Sequence, residues 1–90
     1  MPHRPRIDTL PIQEAVAAAS PSAWRDGLVI ASVPGAVTVD LLDGGVLVLT
    51  TRATPAPGEP VAVHPVAELL AVGDTWYAGR PRTDIGVPAR

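Results

Sequence analysis

The sequence predicts a mainly β protein, a small five- to six-stranded antiparallel barrel preceded by a short N-terminal α-helix, with an extended arm at each end. Three observations carry this. From Gly27 onward apolar residues recur with a period of two, as strands with one covered face require. Turn-forming residues punctuate that stretch at short, regular intervals, among them Pro34-Gly35, Asp43-Gly44-Gly45 and Gly73-Asp74. Only one segment, QEAVAAA, has the composition of a helix.

The elements follow in order. Residues 1–9 open with MPHRPRI, two prolines and two arginines without periodicity, and form an extended arm. Residues 10–26 form a short helical segment. Asp8 or Thr9 can cap a helix over 10–19, Pro11 suits its first turn, and Ile12, Val16 and Ala19 make a narrow apolar stripe. Pro21 stops the helix, and Ser20-Pro21-Ser22 can cap one further turn through Trp24, ended by Gly27.

The barrel spans 27–80. Strands are expected at Leu28 to Val33, around Val37, Val39 and Leu41, and at Val46 to Thr51, with Pro34-Gly35 central in a type II turn. The proline-rich 53-ATPAPGEP-60 cannot sustain a ladder and should cross as an ordered loop. A fourth strand then holds Val61 and Val63, and Glu68 to Val72 and Thr75 to Ala78 form a hairpin through Gly73-Asp74. Closure would remove the edge hazard of VLVLT. Residues 81–90 form a second extended arm.

With 90 residues, the chain makes one domain. The hydrophobic fraction of 47% is mostly Ala and Val, and Trp24, Trp76 and Tyr77 are the only aromatics. A chain this short buries about 60% of its unfolded surface, so a core of small side chains is marginal and association is a natural remedy. The absence of cysteine excludes thiol chemistry and disulfides. A formal charge of −2 argues against a nucleic-acid partner. No apolar run reaches the roughly 20 residues a membrane span needs, and the start lacks a signal peptide's apolar core, so a soluble chain made in the cytoplasm is expected.

Catalytic groupings are lacking. Ser20, Ser22 and Ser32 have no convincing base, since His3 lies in the arm and His64 in a strand, where a structural role on the polar face or at an interface is expected. Asp43 and Asp74 are explained by turns, and no calcium loop or phosphate-binding glycine motif occurs. No catalytic residue, metal site or cofactor is therefore expected, and the protein is read as a non-enzyme. The adjacent Trp76 and Tyr77 should point to opposite faces, one into the core. Trp24 is read as a lid on an open barrel end. Arg4, Arg6, Arg80 and Arg82 lie among prolines and, with Trp24 and Trp76, are the candidate interface residues: stiff arginine arms can lie across a neighbouring subunit's acids at little entropic cost.

Several segments together resemble a known family. They are Gly27-Leu28-Val29, Thr38-Val39-Asp40-Leu41, Pro55 with Gly58-Glu59 and Val61-Ala62-Val63, and Trp76-Tyr77-Ala78-Gly79-Arg80. In this pattern, over about residues 10–80, the chain resembles the small β-barrel (OB/SH3-like) tail or baseplate structural proteins of actinobacterial bacteriophages. Pro60, directly before the fourth strand, and the longer C-terminal arm depart from the pattern. The resemblance implies a structural component of the virion, assembled in the host cytoplasm, self-associating with threefold or sixfold symmetry and docking onto other virion proteins. A head-to-tail connector, a capsid decoration protein, or a ligand-binding barrel for sugar, peptide or nucleic acid are the alternatives.

Overall fold

The computed structural model describes residues 5–82. Its strands are β1 (Arg6–Ile7), β2 (Arg25–Val33), β3 (Ala36–Leu41), β4 (Val46–Thr51), β5 (Pro60–His64), β6 (Leu69–Val72) and β7 (Thr75–Pro81), with one α-helix, α1 (Pro11–Ala19), and a 3₁₀ turn at Pro21–Ala23. The neighbour order is β7-β4-β3-β2-β5-β6, and β6 pairs with β7 to close a six-stranded antiparallel ring. The predicted strands are thus present and the barrel is closed.

The alternation read from the sequence is what fills the ring. Val29, Val37, Val39, Leu49, Val63 and Leu70 point inward and are buried together, with Tyr77 packed against them. Two inward positions carry glycine because neighbouring side chains need the room. A Cβ on Gly27 would stand 2.5 Å from Val39 Cγ1 and 2.8 Å from the Asp40 carbonyl oxygen, and one on Gly79 would stand 3.1 Å from Leu70 Cβ. Gly27 therefore lies inside β2 instead of ending a helical turn; the 3₁₀ turn stops at Ala23 and β2 begins at Arg25.

A bulge in β2 between Val29 and Ala31 divides that strand's work. Residues 25–28 pair with β5, while Val29 turns both backbone groups to the proline-rich loop: its N–H donates to Glu59 O (3.0 Å) and its carbonyl accepts from Gly58 N (2.7 Å). That loop is accordingly ordered, with Ala53 and Pro55 buried. Pro60 is tolerated as the first residue of β5, where the ladder has only begun.

Helix α1 differs from expectation at its start and on its buried face. The N-cap is Leu10, and neither Asp8 nor Thr9 caps it: Asp8 takes a left-handed bend (φ 63), and the Thr9 hydroxyl donates to Glu14 Oε2 at 2.9 Å. The Leu10 N–H is satisfied instead by Gln13 Oε1 at 2.8 Å. Ile12 and Ala19 of the predicted stripe are exposed, and Ala17 is the buried residue. The cause is Gln13, whose Nε2 donates to Ala67 O (3.1 Å) and Glu68 O (2.9 Å) and so fixes the rotation of the helix, with Ala17 small enough to sit close to the wall.

Neither arm is wholly free. Residues 6 and 7 form β1, which adds in parallel to β7 with Arg6 opposite Trp76 and Ile7 opposite Tyr77. At the other end β7 runs to Pro81, and the Arg82 N–H donates to Val48 O at 2.8 Å. The remaining parts of the predicted arms, residues 1–4 with Arg4 and residues 83–90, lie outside the described residues.

Candidate interaction surfaces

The ring has an inner core and, beneath α1, a second apolar cluster on its outer wall: Ala17, Ala67 and Leu69, with Val16, Trp24 and Trp76 packed against them. Trp24 belongs to this seam between helix and wall, where the sequence reading had it lidding an open end. His64 completes the seam from β5. Its Nε2 lies 2.8 Å from Ser20 O and its Nδ1 accepts from Ala67 N–H at 3.0 Å, so both ring nitrogens of this fully buried side chain are satisfied by backbone groups. The role is structural, joining the 3₁₀ turn to the 65–68 turn.

Three of the predicted interface residues come together here. The Trp24 ring meets His64 edge-on (5.1 Å, 89°) and tilts against Trp76 (5.2 Å, 52°), while the Arg6 guanidinium carbon stands 4.4 Å from the centre of the Trp76 ring. Arg6 Nε also pairs with Glu14 Oε2 at 3.2 Å. Trp76 and Tyr77 do face opposite ways, and both are half-buried, Tyr77 against the inner core and Trp76 in the seam. In this structure Arg6, Trp24 and Trp76 thus serve the chain's own β1 and helix. Arg80 and Arg82 lie further along β7: Arg82 is half-buried, whereas the Arg80 side chain is 77% exposed and reaches Glu68 Oε1 only at 3.7 Å.

Among the described residues, two surfaces stand open to a partner. The first is a groove of about 400 Å³ between the β1–α1 connection and the wall. Asp8, Leu10 and Ile12 form one side and Ala78, Gly79 and Arg80 the other. Leu10 and Ile12 are exposed there, held out by the Gln13 anchor. The second is the outer face of β2, β3 and β4. Register aligns Pro60, Leu28, Asp40 and Val46 in one row across four strands, and all four are exposed. Ile30 at the bulge and Val33 at the strand end are exposed as well. Among the described residues the Asp40 carboxylate has no hydrogen-bond or ion-pair partner.

The acids elsewhere are dispersed. Arg25 holds Asp43 in a two-pronged pair, Nε to Oδ2 at 3.1 Å and Nη2 to Oδ1 at 2.8 Å, tying the start of β2 to the β3–β4 turn. The hydrogen bonds from Arg25 lower the Asp43 carboxyl below its ordinary range, and those same bonds raise Arg25. Arg52 pairs with Asp8 at 2.9 Å. Among the described residues no three His, Asp or Glu side chains converge on a metal-sized site, and no helix is long and apolar enough to cross a membrane.

The sequence reading reached Arg80 and the seam tryptophans but missed Leu28, Ile30 and Val46 as surface groups. Their signal was present: the runs LVIASV and VLVLT have more apolar residues than one inward face can use. The class that the described residues define is a small closed β-barrel with an outer helix, an exposed apolar face and a mixed polar and apolar groove. No protein-family model matches the chain, and no curated protein or solved structure is significantly similar to it.

Proposed function

We propose that this protein is a non-enzymatic structural component of a bacteriophage virion, a tail or baseplate protein of OB/SH3-like barrel type that works by self-association and by docking onto other virion proteins. The supporting observation is the bare outer face of β2–β4, where Leu28, Ile30, Val33 and Val46 remain exposed on a chain with a core of mostly Val and Leu side chains. Clustered apolar exposure of this kind marks an interaction site, and association supplies the burial that a small monomer lacks. The order of threefold or sixfold rings and the place in the virion come from the resemblance of residues 10–80 to phage barrel proteins. Assembly in the host cytoplasm belongs to the same proposal.

The test is the solution mass by light scattering across a wide concentration range. Oligomers that populate as concentration rises are expected. A concentration-independent monomer that instead takes up a small ligand in the groove would overturn the reading in favour of a ligand-binding module.

A further inference from the structure

We infer that Asp43–Gly44 is a site of covalent self-modification, cyclisation to a succinimide followed by opening to isoaspartate, and that Arg25 guards it. The chain has no asparagine, and Asp26–Gly27 and Asp43–Gly44 are its two places where a side-chain carboxyl precedes a residue with no side chain to obstruct ring closure. The fold treats the two differently. Gly27 is buried inside β2, opposite Leu41 on one side and Val61 on the other, and the Asp26 carbonyl accepts from Leu42 N–H at 2.9 Å. Closing a ring there would twist the peptide out of both ladders. Asp43–Gly44 lies in the β3–β4 turn, where the Asp43 side chain is 61% exposed and Gly44 (φ 108) has open space around the place of its missing Cβ.

In the reaction the Gly44 nitrogen attacks Asp43 Cγ. A bond forms between them, and one carboxyl oxygen leaves as water with the carboxyl proton and the amide proton. Water then adds back to the imide. Breaking the new bond restores aspartate, whereas breaking the bond from Gly44 N to the Asp43 main-chain carbonyl carbon leaves isoaspartate, whose backbone runs through Cβ and Cγ. Each requirement of the attack meets a contact in the turn. Arg25 holds both carboxylate oxygens, Nε to Oδ2 at 3.1 Å and Nη2 to Oδ1 at 2.8 Å, and its Nη2 also donates to Gly44 O at 3.3 Å. The leaving oxygen has to be protonated, and these bonds keep the Asp43 carboxyl below its ordinary range. The attacking nitrogen has to give up its proton, and that N–H is committed to Leu41 O at 3.0 Å. Isoaspartate would displace the carboxylate from Arg25 and release the tie between β2 and the turn that leads into Val46.

The test is prolonged incubation of the full chain at neutral pH, with isoaspartate counted by an isoaspartyl methyltransferase and located by peptide mapping. In the folded parent it should build up at position 43 ahead of position 26, and at position 43 more slowly than in the same chain unfolded by urea. Arg25→Ala should accelerate position 43 on the order of tenfold, the change in neutral carboxyl that a rise of one pH unit in its titration gives. Position 26 reports on folding in the same sample, because it reacts freely only when β2 leaves the sheet. The guard is overturned if folded and urea-unfolded parent react equally fast at position 43, or if Arg25→Ala stays folded by the position 26 reporter and keeps the parent's rate. Isoaspartate arising in the folded parent at position 26 first overturns the site itself. None of these outcomes bears on assembly.

Discussion

Gly27 shows how little slack the inner core has. Its missing Cβ leaves room for Val39 Cγ1 and the Asp40 carbonyl, both of which an added methyl would overlap. Gly27→Ala should lower stability in urea denaturation by about 1–3 kcal/mol. Combined with Val39→Ala, which vacates part of that space, the loss should be smaller than the sum of the two single changes. His64 is the counterpart in the seam, because it satisfies Ser20 O and Ala67 N–H from a fully buried position. His64→Leu leaves the Ala67 N–H without its acceptor, whereas Ser20 O keeps the Ala23 N–H (3.0 Å), and should cost about 1–3 kcal/mol by the same measurement. The Arg25–Asp43 pair is exposed and acts more weakly, but its sign is defined. A carboxyl held below its ordinary value contributes stability above the unfolded value near 3.8, and that contribution disappears as pH falls through the lower folded value. Asp43→Asn should therefore be less stable than the parent at neutral pH, with the difference vanishing in acid.

At the scale of elements, α1 is held by one side chain more than by its own apolar stripe. Gln13 reaches over to Ala67 and Glu68 in the turn before β6, and the Glu68 carbonyl also accepts from Gly79 N–H at 2.8 Å, so helix, turn and β7 share one junction. Gln13→Ala removes two hydrogen bonds and the fixed rotation of the helix. It should cost about 1–2 kcal/mol and shift seam tryptophan emission toward that of exposed indole. The short β1 depends on side-chain contacts in the same way, Arg6 lying over Trp76 while pairing with Glu14, and a backbone bond from Trp76 N–H to Pro5 O (2.9 Å) adds to them. Arg6→Ala should loosen the strand and increase quenching of Trp76 by added iodide, with little effect on the inner core, which it does not touch.

For the whole molecule, closure of the ring answers the edge problem posed by β4 in a particular way. β3 covers one side of the strand, and the last residues of β7 cover Leu49–Thr51 on the other, with Arg82 extending the cover to Val48. The chain therefore shields much of this strand itself, and what it leaves open is a face. Faces associate through side chains, so Leu28→Asp or Val46→Asp on the exposed face should lower the mass seen by light scattering, while changes confined to the inner core act on folding.

Much of this architecture was legible in order and type because it is local. Alternation of small apolar residues, glycines at φ 87 and 58 in the turns at Gly35 and Gly73, and the prolines around Pro55 each act over a few residues, and they placed β4 at Val46–Thr51 to the residue. The rotation of α1, the position of Trp24 in the seam and the addition of β1 to β7 were not legible. Each depends on a contact across the chain, Gln13 with Ala67, Trp24 with Trp76, Arg6 with Trp76, and a period says which residues share a face without saying what that face meets. The open surfaces belong to the same category. By itself the sequence determined that this chain would be a small, cysteine-free β-barrel with a core of small side chains. Only the tertiary structure decided which apolar residues stay outside, because ring closure and the helix anchor together leave more apolar side chains than one small barrel can enclose.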